Sequence, residues 1–230
     1  MVYLIAEIGV NWNGKIDLVK EMIFEAKNAG CNAVKFQSFS LEQVKEHPLK
    51  ESLLKSSINS KTVKKIFEIT NDARMDFICT PMYSNAVKFL KDYVSKFKIR
   101  EYDGRQIVMN QRSEIFEKIL DTGKEIIISS EQSPENCNFY NNSKISWLYC
   151  VPKYPCTKDE VDFTKLDKFD GYSNHCPDIQ VPIKAAHLGA KIIEVHITSN
   201  KNEDFIDNNV SFDYNELRTI INTIKNISKN

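Results

Sequence analysis

The chain has 230 residues, 42% of them hydrophobic, and its 31 lysines and arginines balance 31 aspartates and glutamates. That length suits one large domain, and the charge balance excludes nucleic-acid or membrane-surface binding driven by net charge. There is no apolar run of about 18 residues and no basic stretch leading into a long apolar one at the N-terminus, so a cytoplasmic protein that does not enter a membrane is expected.

Residues 2–8 read as a first strand closing on Glu7 and Gly9, and Asn11-Trp12-Asn13-Gly14 forms a turn. Asp17 heads a helix to residue 29, with Leu18, Met22, Ile23 and Ala26 on one face, and Gly30 stops it. The second strand is 33–37, a βαβ unit whose crossover implies parallel strands. Residues 41–57 are polar and lysine-rich, a loop or irregular helix over the mouth of the fold. A helix over 61–74, a strand over 77–81, a helix over 85–93 and a short strand over 95–99 follow. Residues 100–112 read as a charged loop, and Ser113 caps a helix over 114–122. Strand five is 125–129. Ser133-Pro134 can open a brief helix, and 136–143 is a loop. Strand six (145–150), a proline-interrupted loop, a helical turn at 163–166 and strand seven (169–173) come next. A helix over 181–188, strand eight (191–196) and a helix over 214–227 close the chain.

Eight strand signals alternating with helices predict a single-domain (β/α)8 TIM barrel over residues 1–230, slightly short of the usual length of roughly 250. The connections after strands five and six carry the thinnest helical signal. An open doubly wound sheet is the rival, but Gly9-Val-Asn-Trp-Asn-Gly14 lacks the GxGxxG spacing of its first turn.

In such a barrel the chemistry sits at the C-terminal ends of the strands. Polar residues collect there: Glu7, Lys35 and Gln37, Thr80, Lys98, Ser129 and Ser130, then Tyr154, Ser173 and His175, and Glu194 and His196. His175 and His196 stand just past adjacent strands, where two imidazoles can share one divalent metal. Lysines near the mouth suit an anionic substrate, phosphate or carboxylate. Structural alternatives remain at this point: a histidine can bond its own loop, Lys35 and Lys98 can snorkel outward, Glu7 can simply pair with a lysine, and the serines can cap the next segment. The six cysteines are scattered without a CxxC pair, which favours buried or site-lining thiols over a disulfide framework or zinc finger. From chemistry alone the chain reads as a metal-assisted barrel enzyme acting on a small anionic molecule.

Together these motifs resemble the sialic acid synthase family, the phosphoenolpyruvate-dependent synthases of nonulosonic acids. The resemblance rests on Ala6-Glu-Ile-Gly-Val-Asn11 with Asn13-Gly14, Gly30-Cys-Asn-Ala-Val-Lys-Phe-Gln37, Thr80-Pro81, Lys98-Ile99, Gly123-Lys-Glu-Ile-Ile-Ile-Ser129 and Tyr154-Pro155. Gly171-Tyr-Ser-Asn-His175, Ala185-Ala-His-Leu-Gly-Ala-Lys-Ile-Ile-Glu194 and His196 complete it. It covers the family's catalytic barrel from residue 2 to about 220, without its small C-terminal antifreeze-like domain. The resemblance implies condensation of phosphoenolpyruvate with an open-chain N-acetylated amino sugar such as N-acetylmannosamine, assisted by Mn2+ or Mg2+. Carried over by motif, His175 and His196 are metal ligands, and Lys35, Thr80, Lys98, Ser129 and Ser173 hold phosphoenolpyruvate. Glu7, Gln37, Tyr154 and Asp207 face the sugar, Asp207 by its place four residues before Ser211, and Asp103 aligns with an acid near the metal. Glu7, Lys35, Lys98 and Asp103 make up the expected catalytic set.

Two stretches depart from the family pattern. After Lys98 the usual small residues become Ile99-Arg-Glu-Tyr-Asp-Gly104, and after Ser129 they become Ser130-Glu131, so Glu101 and Glu131 are expected beside the phosphate. The departures admit two other readings: a related metal-dependent barrel enzyme with an altered donor or acceptor, and a noncatalytic partner of a full-length synthase. The expected assembly is a homodimer or a pairing with such a synthase.

Overall fold

The short apolar runs become, in three dimensions, a cylinder with an apolar layer outside it and an apolar plug within. The structure is a computed structural model, and residues 2–227 are described. Its elements are β1 (Tyr3–Gly9), α1 (Ile16–Ala29), β2 (Ala33–Ser38), α2 (Leu41–Val44), α3 (Lys50–Lys55), α4 (Val63–Asp72), β3 (Asp76–Pro81), α5 (Ala86–Leu90), β4 (Lys96–Ile99) and α6 (Glu101–Val108). They continue with α7 (Glu114–Leu120), β5 (Glu125–Ser130), β6 (Ile145–Tyr149), β7 (Gly171–Asn174), α8 (Gln180–His187), β8 (Ile192–His196) and α9 (Tyr214–Ile227). The eight strands are parallel and run in chain order around a closed barrel, β8 pairing back onto β1. This is the (β/α)8 architecture that the alternation predicts. No described helix is long and apolar enough to cross a membrane.

Because strand side chains alternate in direction, each strand feeds two cores. Outward-facing Leu4, Val34, Phe36, Phe77, Phe97, Ile126, Ile128 and Trp147 pack against the helices in one continuous apolar layer. Inward-facing Ile5, Ala33, Ile78, Ile127 and Leu148 plug the lower barrel. Two residues further along the same strands, the inward phase turns polar, so the apolar plug forms the base on which the polar residues stand.

Local differences from the sequence expectation have local causes. Val19 rather than Leu18 takes the core-facing position of α1 with Met22, Ile23 and Ala26. Residues 101–108, expected as loop, form α6, whose buried face is Glu101, Gly104, Ile107 and Val108. Ser133-Pro134 starts only turns. The connection after β6 carries 3-10 turns at Lys158–Glu160 and Phe163–Lys168, in keeping with its weak helical pattern. Ser113 caps α7 as expected, its side chain accepting from the Phe116 N–H.

Candidate active site

The inward phase fixes the site. Glu7 follows Ile5 by two, Lys35 follows Ala33, Thr80 follows Ile78, Ser129 follows Ile127, and Glu194 and His196 follow Ile192. These side chains line one cavity of about 550 Å³ at the C-terminal mouth of the barrel, together with Gln37, Lys98, Cys150, Tyr154, Ser173, His175 and Asp207. The cavity therefore gathers every residue expected to be catalytic, substrate-binding or metal-ligating except Asp103.

Its floor is a buried ion network. Lys35 Nζ lies 3.0 Å from Glu7 Oε1 and 3.5 Å from Glu194 Oε1, and Lys98 Nζ lies 3.8 Å from the same Glu194 oxygen. Ser173 Oγ donates to Glu194 Oε1 at 2.8 Å, and Gln37 Nε2 donates to Glu7 Oε1 at 2.6 Å. Lys98 also donates to Ser129 Oγ at 2.7 Å and to the Ile99 carbonyl at 3.1 Å. Glu7, Lys35, Lys98 and Glu194 are each no more than 5% exposed. Charge at such depth is sustained only by close partners.

The four groups respond differently to that burial. Burial opposes the charge of Glu194, but Lys35 and Lys98 outweigh it and hold the carboxyl at about 2. Burial wins at Glu7, whose carboxyl is pushed above its usual range despite Lys35 and His196. Burial likewise lowers the Lys98 ammonium, which Glu194 only partly offsets. Lys35, held by both carboxylates, is raised in spite of burial.

The opposite wall carries the imidazoles. The His175 and His196 rings are 5.6 Å apart between centroids, and the Tyr154 ring meets both edge-on at 4.8 and 5.5 Å. His175 Nδ1 lies 3.1 Å from the Val151 carbonyl, the geometry of an N–H donor that leaves Nε2 with its lone pair. Burial, followed by the neighbouring His196, lowers His175 to about 3, so its imidazole is neutral and able to ligate. His196 Nδ1 is 3.3 Å from the Tyr154 hydroxyl and 3.5 Å from Asp207 Oδ2. Among the described residues no three His, Cys, Asp or Glu side chains are arranged as a metal-holding group.

Asp207 reaches this wall from a distant loop. Asn11 Oδ1 accepts from the Asp207 N–H at 3.0 Å, while Asn11 Nδ2 donates to the Ile197 carbonyl and to Ser211 Oγ. Ser211 Oγ donates back to the Asp207 carbonyl at 2.6 Å. The fully buried Asn11 thus pins the loop after β8 to the loop after β1. Gly9, at φ +54°, sits between them. A Cβ there would come within 2.9 Å of Asp207 Oδ2 and 3.1 Å of Glu7 Oε1, so the crossing of β1 into its loop requires glycine.

Two acids expected inside prove to lie elsewhere. Asp103 is on α6, and its carboxylate accepts from Arg100 Nε at 2.7 Å, three residues back on the same segment, rather than entering the cavity. Glu131 lies past the end of β5, outside the cavity, with Lys165 at 3.4 Å. Ser130, in the outward phase, bonds the Gln132 backbone. Glu101 does line the cavity, 8% exposed, and is neutralised by Arg105 at 2.5 Å. Conversely, Glu194 and Asn11 have no assigned role in the sequence reading, yet one centres the ion network and the other holds Asp207. The signal for Glu194 is its phase, two residues before His196 on one strand. Asn11 has only its place in a turn.

Four buried polar atoms around the cavity lack a protein hydrogen-bond partner: Glu7 Oε2, Glu194 Oε2, Thr80 Oγ1 and Asp207 Oδ2. Such atoms are costly unless a polar ligand or water meets them, so this mouth is built to receive a polar molecule.

Comparison with known proteins agrees with that reading. The chain is 30% identical over 245 residues to an uncharacterized protein of Methanocaldococcus jannaschii, covering 99% of this chain and 71% of the relative. It is 28% identical over 256 residues to the N,N'-diacetyllegionaminic acid synthase of Legionella pneumophila, covering 97% of this chain and 71% of that one. The crystal structure of the N-acetylneuraminic acid (sialic acid) synthetase of Leptospira borgpetersenii in complex with citrate superposes with a TM-score of 0.87 at 27% identity, covering 99% of this chain and 84% of that one. The NeuB family profile matches residues 22–230, so nearly the whole barrel, from α1 through both histidine-bearing strands, follows one pattern: the chain belongs to the NeuB family.

Proposed function

We propose that the chain catalyses the condensation of phosphoenolpyruvate with an open-chain N-acetylated amino sugar to a nonulosonic, sialic-type acid. The observation that carries this reading is the pairing, across one cavity, of a buried lysine floor with a two-histidine wall. The floor complements a small, highly charged donor, and the wall complements an aldehyde oxygen. Family membership points the same way, since the characterised relative from Legionella is a synthase of a sialic-type acid.

In the proposed reaction, C3 of the enol phosphate bonds to the aldehyde carbon, water adds at C2, and phosphate leaves. Lys98, Ser129, Lys35 and Thr80 bind and orient the donor with their N–H and O–H groups, and Ser173, whose hydroxyl turns to Glu194, lies beside it. Glu7, Gln37, Tyr154 and Asp207 face the acceptor. A divalent cation, Mn2+ or Mg2+, would find two nitrogen donors on this wall: a neutral imidazole fixed by Val151 and a second imidazole beside it. His175 and His196 would hold it, with water and substrate oxygens completing its shell. When bound there it supplies a Lewis acid for the aldehyde oxygen.

The test is phosphate release from phosphoenolpyruvate by purified protein with Mn2+. Release is expected only when an N-acetylated amino sugar is added, and no release with any amino sugar sinks the reading. Replacing both His175 and His196 by alanine is expected to abolish stoichiometric Mn2+ binding, and full retention would refute the ligand assignment. Buried Glu101 on the cavity wall favours, as a second reading, an enzyme of the same design with a different donor. Phosphate release from another enol or sugar phosphate would then replace that from phosphoenolpyruvate.

A further inference from the structure

Cys156 and Cys176 take no part in the cavity, yet they meet behind its histidine wall. Cys156 is the one buried residue between Pro152 and Glu160, in the loop that leaves β6 and carries Tyr154. Cys176 directly follows His175. The Cys156 N–H donates to the His175 carbonyl at 3.1 Å, so the loop runs against the end of β7 as a neighbouring strand would. Chains bonded in that way lie roughly 5 Å apart, inside the roughly 4.4–6.8 Å that a disulfide spans between α-carbons. Both side chains enter the same apolar layer, each 2% exposed and each a free thiol. Each thiol is the other's hydrogen-bond neighbour.

Tyr172 adds a polar group to this layer. It is fully buried on β7, and its hydroxyl has no hydrogen-bond partner. The ionisable side chains that act on it are, in order, Cys156, Cys150, Cys176 and Tyr149. A buried hydroxyl left without a partner is costly, and a thiolate formed at Cys156 would accept from it.

We propose that Cys156 and Cys176 are a reversible oxidation site: a small-molecule disulfide converts them to an internal disulfide that ties the Tyr154 loop to the end of β7 and weakens the histidine wall's hold on a cation. In the exchange the two thiols give up two electrons, and their S–S bond forms as the oxidant's breaks. Both protons leave on the two thiols released from the oxidant. Because the loop covers both sulfurs, the exchange waits on its opening and is slow. The effect on the wall runs through Val151, which belongs to the same loop and accepts from His175 Nδ1 at 3.1 Å. Drawing Cys156 onto Cys176 shifts Val151 and Tyr154 against the imidazole they orient. Outer partners of that kind are worth roughly 10- to 100-fold in metal affinity. The disulfide stands apart from the reaction proposed above, and only its effect on the cation rests on those ligand roles.

The experiment equilibrates the full chain in glutathione buffers from fully reduced to fully oxidised. Samples are quenched in acid, alkylated under denaturing conditions, weighed intact and mapped for linked peptides. All six cysteines are expected to be alkylated from reduced buffer, and all but Cys156 and Cys176 from oxidised buffer, with one cross-link between those two that dithiothreitol removes. Cys156→Ser and Cys176→Ala should each form no cross-link. Complete alkylation at every ratio, a cross-link elsewhere, or glutathione left on the protein in place of a cross-link overturns the pair. After desalting, the oxidised protein is expected to bind Mn2+ roughly 10- to 100-fold more weakly than the reduced protein by calorimetry. Oxidised buffer should leave the Mn2+ affinity of Cys156→Ser unchanged. Equal affinity of the two forms of the parent overturns the coupling to the wall. Binding in neither form counts against the histidines as ligands and overturns the coupling with them, while the cross-link stands on its mass.

Discussion

Lys35 and Lys98 share a cavity floor and one carboxylate, yet they are not equivalent. Lys35 is clasped by Glu7 at 3.0 Å and Glu194 at 3.5 Å, while Lys98 has Glu194 only at 3.8 Å and otherwise bonds neutral oxygens. Lys98 therefore holds the less compensated charge and is the better anion ligand; Lys35 serves first to keep two buried carboxylates tolerable. Lys98→Met is expected to raise KM for phosphoenolpyruvate roughly 10- to 100-fold, the worth of one charge-assisted hydrogen bond, with little loss of stability. Lys35→Met is expected to cost about 3–5 kcal/mol in urea unfolding, because it strands buried acids. Equal stability losses in the two variants would refute the distinction. At this scale the sequence reveals which side chains face inward, since alternation alone sets the phase of Glu7, Lys35 and Glu194. It does not reveal partners. The Asn11–Asp207 bond joins residues 196 apart, and no local pattern encodes a contact closed only when the eighth strand meets the first.

Among the elements, α6 shows why charged segments mislead. Residues 100–112 hold enough charge and a glycine to read as loop, yet Glu101, Gly104, Ile107 and Val108 recur at helical spacing. Two of those four are not apolar: Glu101 faces the cavity, and Gly104 packs against β5. A Cβ on Gly104 would lie 2.0 Å from the Ser129 carbonyl oxygen, a backbone atom with no freedom to retreat. The glycine is a contact residue rather than a breaker, and it seats α6 beside Ser129, the hydroxyl that anchors Lys98. Gly104→Ala is expected to destabilise the fold by about 1–3 kcal/mol, as overpacking does, and to lower activity by shifting Ser129. The urea midpoint and the phosphate-release rate report the two effects. An unchanged midpoint would show that α6 does not pack as closely as described. The strands, by contrast, were legible because short runs apolar in both phases suit a parallel sheet covered on both faces.

The whole molecule divides its titratable groups by depth, and two of its thiols, Cys31 and Cys79, lie in the apolar layer between barrel and helices. Cys31 and Cys79 are 5% and 0% exposed. Burial pushes the Cys31 thiol from about 9 up to about 12, and it pushes Cys79 well above the usual range, with Glu7 adding to the shift. Above pH 9 the unfolded chain releases these protons and the folded chain keeps them. The folded state then binds more protons, so stability falls as pH rises. Each such thiol contributes a slope of about 1.4 kcal/mol per pH unit across that window. Below pH 9 both states hold the proton and the contribution vanishes. Buried tyrosines such as Tyr172 add a slope of the same sign, so the total does not isolate the thiols, but a difference between variants does. Cys31→Ala, measured by urea unfolding at intervals from pH 8 to 11, is expected to lose some stability at pH 8 through the cavity it leaves. Its stability should then fall less steeply than that of the parent, by about 1.4 kcal/mol per pH unit above pH 9. Parallel curves would mean that Cys31 ionises as readily in the fold as in the open chain, and that the layer between β2 and the helices is wetter than its packing implies.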